Sequence, residues 1–159
     1  MKREFLQRFT MLVLVTLGLA TAAVSANAQS TANRVVANVP FEFSVGYKAL
    51  PAGEYSAEAI TSAGNGLLIK SSDGKISALR LSDATRQIKE KSQARLVFHR
   101  YGERYFLVEV WNGVDQTGRR LTESQEERAL ESELLLASAR ENAHPAANYE
   151  IVEVIALLR

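Results

Sequence analysis

The sequence predicts a mainly β protein, built as a small antiparallel sandwich or a partly open barrel with one helix near the C-terminus. Three observations support this fold class. Apolar and polar residues alternate over 35–45, which is typical of a half-buried strand. The stretch 94–111 is the densest apolar and aromatic run beyond the N-terminus, and it predicts two strands joined by a tight turn. The stretch 122–141 carries the start signals and apolar spacing of a helix.

Residues 1–28 have the pattern of a signal peptide. Lys2, Arg3 and Arg8 precede an uncharged apolar run, 11–24, which is shorter than the about 20 residues that a membrane-spanning helix needs. Small residues at positions 26 and 28 suit signal peptidase, so we expect cleavage before Gln29. Retention of the segment as a signal anchor is the alternative. Cleavage leaves 29–159 as a single β-rich domain, and it predicts a periplasmic or secreted protein with no membrane insertion.

Charge and cysteine content exclude several classes of function. Removal of three bases and one acid with the signal peptide takes the formal net charge from +1 to about −1. A nearly neutral chain gives no electrostatic reason to expect a nucleic-acid partner or an anionic membrane surface. The sequence contains no cysteine, which excludes a disulfide scaffold, thiol catalysis and cysteine metal sites.

The hairpin in 94–111 is predicted to turn at Gly102-Glu103, with glycine at the position that needs a positive φ. Apolar residues occur on both faces of both strands, which favours a place at the centre of a sheet. A four-residue loop around the same glycine would give different partners. With the two-residue turn, the opposed pairs are Tyr101–Arg104, His99–Phe106, Val97–Val108, Phe98–Leu107 and Leu96–Glu109.

Further strands are predicted on both sides of this hairpin. Pro40 cannot donate to a ladder, so the first strand is expected to bend or break there. Asp73-Gly74 predicts a tight hairpin turn. The polar stretches 82–93 and 112–120 are expected to be a long loop and a connection. The remaining predicted strands are 54–60, 67–71, 75–81 and a final, interior strand at 149–158.

The helix at 122–141 has two possible capping boxes, Thr122-x-x-Gln125 and Ser124-x-x-Glu127. Its polar first half is expected to be either a partner surface or a solvated face. The apolar residues lie in the second half, which is therefore expected to pack closely. That stripe consists of Leu130, Leu134 and Ala137, widened by Leu135 and Leu136.

Two motifs resemble a known family. VPFEFSVGYKALPAGEY at 39–55 and LVFHRYGERYFLVEVW at 96–111 are similar to a family of small exported proteins common in acidobacterial genomes. Its members combine a PF-x-F-x-VG…LPAGxY entry with a later LVFxRYGxxYFL hairpin. The resemblance implies export and a β-rich fold. It implies no activity and no site residue.

Candidate site residues are few. His99 is either an acid, a base or a metal ligand, or an ordinary half-buried strand residue packed on Phe106. The aromatic residues of the hairpin either line a ligand pocket in a barrel mouth or belong to ordinary core and rim packing. They are Tyr101, Tyr105, Phe106 and Trp111. Glu109 lies among apolar residues and is expected to pair with Arg95, Arg100 or Arg104, or to act as a general acid. The candidate ligand-binding residues are His99, Arg100, Tyr101, Tyr105 and Trp111.

These observations predict an exported, non-enzymatic binding or structural protein whose partner is an unidentified protein or small molecule. No catalytic residue, metal ligand or cofactor is assigned, because no hydrolase, phosphate-loop, dinucleotide or calcium-loop motif is present. One alternative is a carrier of an apolar small molecule, with a barrel cavity lined by four side chains. A hydrolytic enzyme using His99 is the other alternative. The carrier's expected lining is Phe41, Phe43, Phe98 and Leu107.

Overall fold

The computed structural model describes residues 34–60, 65–87, 93–114, 116–140 and 149–159. The predicted signal peptide lies outside these ranges. Within them, the chain forms eleven strands and one helix, which confirms the predicted mainly β fold class. In chain order they are β1 (Val35–Val39), β2 (Phe43–Val45), β3 (Lys48–Leu50), β4 (Gly53–Ala59), β5 (Gly66–Ser71), β6 (Ser77–Arg86), β7 (Arg95–Tyr101), β8 (Arg104–Trp111), β9 (Thr117–Leu121), α1 (Gln125–Arg140), β10 (Glu150–Ile155) and β11 (Leu157–Leu158).

The strands follow one path, β10-β7-β8-β9-β6-β5-β4-β1-β11, with β2 placed between β3 and β8. Neighbours on the path are antiparallel, and β2 meets β8 in a single parallel pair. β6 joins two half-sheets, because Leu81 pairs with β5 whereas Ser82 pairs with β9. One half-sheet contains β5, β4, β1 and β11. The other contains β9, β8, β7 and β10, together with β2 and β3. The path is not closed into a barrel, so the architecture agrees with the predicted sandwich or partly open barrel.

The first strand is interrupted near Pro40, as predicted. β1 ends at Val39 and runs beside β4, whereas β2 begins at Phe43 and joins β3 and β8 in the other half-sheet. Proline has no N–H to donate, so the break falls where the chain leaves one half-sheet for the other.

Two polar stretches form strands that were predicted as loops. β6 continues to Arg86, and β9 occupies Thr117–Leu121. The two strands pair with each other in a five-residue antiparallel ladder from Ser82–Leu121 to Arg86–Thr117. Backbone hydrogen bonds stabilise this ladder, and they require no apolar side chain that a hydropathy pattern would reveal.

The central hairpin has the predicted register near its turn and a different one beyond it. Gly102 has a φ of +61°, and His99 lies opposite Phe106 as expected. Past the Phe98–Leu107 pair, a β-bulge skips Val108, so that Val97 pairs with Glu109. The predicted pairs Val97–Val108 and Leu96–Glu109 are therefore wrong, and Leu96 pairs with Val110.

The final strand lies at the ends of the path, not in its interior as predicted. β10 pairs with β7, and after Ala156 the chain continues as β11 beside β1. The Ala156 N–H donates to the Ala94 carbonyl at 2.8 Å, at the point where the chain changes neighbours. Apolar residues occur on both faces of β10, but only Val152 and Val154 pack against the core, whereas Ile151 is exposed.

The core lies between the two half-sheets and contains the side chains expected to line a carrier's cavity. Phe98 contacts Phe43 edge-to-face at 5.4 Å between ring centroids, and Phe41 edge-to-face at 5.2 Å. Phe43, Phe98 and Leu107 are all buried in one cluster. Aromatic side chains therefore fill the interior at this place instead of enclosing a ligand.

Helix α1 begins at Gln125 because Ser124 caps it. The Glu127 N–H donates to Ser124 Oγ at 3.0 Å, and the Arg128 N–H donates to the Ser124 carbonyl at 3.2 Å. The expectation that the second half packs closely is wrong, since Leu135 and Leu136 are exposed. Within the described ranges, no helix has the length and apolar character needed to cross a membrane.

Candidate functional site

The five candidate ligand residues divide between two faces of the β7–β8 hairpin. His99 and Tyr101 alternate with Arg100 along β7, so they point to the face opposite the core. We call this the helix face, and it also carries Phe106 and Trp111. Arg100 and Tyr105 form a cross-strand pair on the other face. The five side chains therefore do not converge on one site.

On the helix face, His99 is joined to the first turn of α1. Its Nδ1 lies 3.1 Å from Glu127 Oε1, and its ring stacks on Tyr149 with 3.8 Å between ring centroids. With Glu127 ionised, Nδ1 is the donor in this contact, because a carboxylate only accepts. The Glu127 side chain is 5% exposed and the His99 side chain 19%. An ion pair between Arg104 and Glu126 joins the same turn of the helix to β8.

Tyr101 lies beside His99 and Glu127 and is buried. Its ring contacts Phe106 edge-to-face at 5.8 Å and Tyr149 at 5.6 Å. Burial, followed by the negative charges of Glu127 and Glu131, raises the pKa of Tyr101 well above its ordinary value. The phenol therefore keeps its proton at neutral pH, and it serves here as a packing residue with a neutral hydroxyl.

The cluster of His99, Tyr101, Glu127 and Tyr149 can do two things chemically. An imidazole with an oriented carboxylate partner is a possible acid–base pair. The same contact holds the start of α1 against the hairpin through a hydrogen bond to a charged group. The exposed edge of His99 is narrow, because Tyr149 covers one face of the ring and Glu127 occupies Nδ1. This arrangement favours the positioning role.

On the other face, Arg100 and Tyr105 are also occupied by contacts within the chain. Arg100 Nε donates to the Gly102 carbonyl at 2.8 Å, and Nη1 lies 3.2 Å from Glu150 Oε2. Its guanidinium lies 5.5 Å from the centroid of the Tyr105 ring, which stacks on Phe41 at 3.9 Å. These contacts stabilise the turn end of the hairpin and the start of β10.

Trp111 lies at the far end of the helix face, away from His99. Its Nε1 donates to Glu109 Oε2 at 2.9 Å, and the buried Arg95 lies 4.9 Å from its ring centroid. Glu109 does not pair with any of the three arginines expected. Instead its Oε1 accepts from Arg120 Nη2 at 2.6 Å, because the bulge places Glu109 directly beside Arg120 on β9.

Sequence reasoning missed two members of the His99 cluster. The sequence identified Glu127 only as part of a capping box. The Glu127 N–H does donate to Ser124 Oγ, but the Glu127 carboxylate contacts His99. The signal available in the sequence was the Glu127 carboxylate, an acceptor in the first helical turn that could contact another element. Tyr149 gave no signal, since nothing local marks an aromatic residue that stacks across 50 positions.

A groove lies elsewhere, where β6 changes partner. Leu81 is the last residue beside β5, and Thr122 follows the end of β9, so the two half-sheets diverge there. Gly66, opposite Leu81, has no side chain to fill the space. The resulting open groove has a volume of about 510 Å³. Its described lining residues are Ile60, Asn65, Gly66, Leu79, Arg80, Leu81 and Thr122.

The groove exposes three large apolar side chains. Leu81 is 70% exposed, Leu79 57% and Ile60 49%. Arg80 Nη2 donates to the Thr122 carbonyl at 3.1 Å, while its buried Nε has no hydrogen-bond partner among the described residues. Sequence reasoning missed this site, because an alternating strand such as 77–81 gives no sign that its outward residues border a cavity.

In the described part of the chain, no group of three or more His, Asp or Glu residues is arranged to hold a metal ion. A scan against protein-family models found no match, and searches of the curated proteins and of the solved structures found no significant match. Function is therefore inferred from the geometry.

Proposed function

We propose that the mature chain is an exported binding protein without catalytic activity, which holds its ligand in the groove beside β6. The observation that carries this proposal is the exposure of Ile60, Leu79 and Leu81 together in one concave site. Small-molecule sites are typically concave, mostly apolar and supplied with a few polar groups.

The state of the hairpin residues supports the same proposal. His99 and Arg100 contact Glu127 and Glu150, and Trp111 contacts Glu109. Side chains that satisfy one another in this way are less available to a substrate. The filled core around Phe98 supports placing the ligand in the groove instead of inside a barrel. Export is supported by the signal-peptide pattern of 1–28 and by the family resemblance.

Native mass spectrometry of the protein, purified gently from the exported fraction of its own host, tests this proposal. We expect a chain that begins at Gln29 and carries additional mass, of a small molecule or of a partner. Leu81→Ser should lose that mass, whereas Leu136→Ser, which changes an equally exposed leucine on α1, should retain it. A bare monomer, or a bound mass that Leu81→Ser does not affect, would contradict the assignment of the groove.

A hydrolase is the second candidate, and the 3.1 Å contact between His99 and Glu127 is the observation that favours it. His99→Ala distinguishes the two functions, provided that circular dichroism shows a folded variant. A hydrolase would lose turnover of simple ester and amide substrates. A binding protein would keep the co-purifying mass, because His99 does not line the groove.

A further inference from the structure

We propose that a second cavity, between the two half-sheets near the end of β8 and the start of β9, binds a small monocarboxylate with a short apolar body. Arg119 would bind the carboxylate, and the apolar body would lie between the half-sheets. This inference goes beyond the proposed function, because it concerns a site separate from the groove beside β6 and holds whatever the groove binds.

The cavity has an apolar interior and a volume of about 200 Å³. Val35, Ala57 and Leu67 line it from one half-sheet, and Val110 and Arg119 line it from the other. The four apolar residues are buried members of the core cluster, whereas Arg119 is half-buried. The cavity is therefore a gap between the inner faces of the half-sheets, with a guanidinium at its border.

Strand alternation directs the Arg119 side chain towards this cavity. Arg119 is the cross-strand partner of Val110, a core residue of β8. Paired residues place their side chains on the same face of a sheet. Leu121, two positions farther along β9, is buried in the same core cluster. The intervening Arg120 points to the opposite face, where it contacts its own cross-strand partner Glu109.

The charge of Arg119 argues for an anionic ligand. Among the described residues, no carboxylate forms an ion pair with Arg119. Glu58 also borders the cavity, but it alternates with the buried Ala57 and its carboxylate pairs with Arg34 at 3.2 Å. A guanidinium beside apolar walls is poorly screened, and its planar fork suits a carboxylate.

The volume limits the ligand to a short chain. It lies below the range of drug-sized sites, about 300–1,000 Å³. A water molecule has a share of about 30 Å³ in the liquid, so a cavity of about 200 Å³ holds about seven non-hydrogen atoms. Pentanoate has this size. Its hydrocarbon chain would contact Val35, Leu67 and Val110, and its carboxylate would remain at Arg119.

An NMR chemical-shift titration of the isotope-labelled mature protein with pentanoate tests the inference at millimolar concentrations, which suit so small a ligand. We expect saturable shifts of the backbone amides of Ala57, Gly118 and Arg119, whereas those of Leu79 and Leu81 in the groove should not move. Pentan-1-ol and pentylammonium, which have the same chain with a neutral and a cationic head, should bind at least about tenfold more weakly. Acetate, which lacks most of the chain, should also bind at least about tenfold more weakly.

Two pairs of variants locate the site. Arg119→Gln should weaken pentanoate binding at least about tenfold, whereas Arg120→Gln, the same charge change on the opposite face, should alter it less than about twofold. Ala59→Phe places a ring in the mouth of the cavity and should abolish binding. Ala49→Phe, at an exposed alanine on β3, should leave it unchanged. Because Ala59 is exposed, its variant remains informative if Arg119→Gln proves unstable.

Each part of the inference has an outcome that would overturn it. Absence of saturable shifts with pentanoate, or shifts confined to other parts of the protein, would overturn the site. Equal binding of pentan-1-ol, or no effect of Arg119→Gln in a folded protein, would overturn the anionic head group. Equal binding of acetate would overturn the apolar body. The proposed function is tested separately, by the effect of Leu81→Ser on the co-purifying mass.

Discussion

Gly118→Ala is expected to destabilise the protein because Trp111 lies directly over Gly118. The two residues are cross-strand partners on β8 and β9. A Cβ at Gly118 would lie 2.6 Å from Cδ2 and Cε3 of the Trp111 ring. Carbon atoms in contact are normally about 3.5–4.0 Å apart, so the ring would have to move by about 1 Å.

The displaced ring cannot move freely. It is buried, its Nε1 donates to Glu109 at 2.9 Å, and Arg95 lies against its face at 4.9 Å. Overpacking costs about 1–3 kcal/mol, and loss of a hydrogen bond to a charged group costs about 1.5–3 kcal/mol. Alanine has less conformational freedom than glycine in the unfolded chain, and this difference offsets roughly 0.4–1 kcal/mol of the loss. We expect a net loss of about 2–4 kcal/mol in the free energy of unfolding.

Urea unfolding followed by tryptophan fluorescence measures this loss, and because the chain contains one tryptophan the emission reports on Trp111 alone. Gly102→Ala is the matched control. Gly102 has a φ of +61° with no atom within 4 Å of its Cβ position, so it should lose about 1–2 kcal/mol through backbone strain with unchanged native emission. A loss below about 0.5 kcal/mol for Gly118→Ala, with unchanged emission, would refute the packing of Trp111 on β9.

Two further predictions concern the His99 cluster. His99→Ala leaves the buried Glu127 carboxylate without its donor and should cost about 1–3 kcal/mol in urea unfolding, whereas Glu127→Gln, which retains an acceptor, should cost less; equal losses would argue against this contact. Because burial raises the pKa of Tyr101, the folded state keeps the phenol proton above pH 10.0, where the unfolded chain releases it. Stability should therefore be intact below that pH and fall by about 1.4 kcal/mol per pH unit above it. Tyr101→Phe should remove the part of this pH dependence that Tyr101 causes. The part caused by Tyr55, whose pKa burial also raises, should remain, and an unchanged alkaline slope would contradict the assignment.

Local patterns in the sequence were sufficient for the fold class, the helix and the turn half of the hairpin. The turn at Gly102 sets the pairs next to it, because a two-residue loop leaves one register for the adjoining residues. Ser124 marks the helix start through a hydrogen bond within three residues. Alternation in β1 identifies its buried face, since one face of a strand packs on the core.

Nonlocal pairing was beyond such patterns. The polar ladder between β6 and β9 depends on backbone hydrogen bonds between segments with no distinctive side chains. The bulge at Val108 changes the face on which each following residue lies, and it brings Glu109 to Arg120. β10 was expected inside the sheet because its composition is apolar, but the neighbours of a strand depend on the whole path.

The sequence by itself determined which residues can pack, turn and begin a helix, because those properties depend on neighbours a few positions away. The tertiary structure alone decided which polar side chains meet: Glu127 reaches His99 across 28 positions, and Glu109 reaches Arg120 on the neighbouring strand. It also buried Arg80 Nε against the β2–β3 turn, where this atom has no hydrogen-bond partner among the described residues. Coulombic and hydrogen-bonding partners are selected by distance in space, which the order of residues along a chain does not specify.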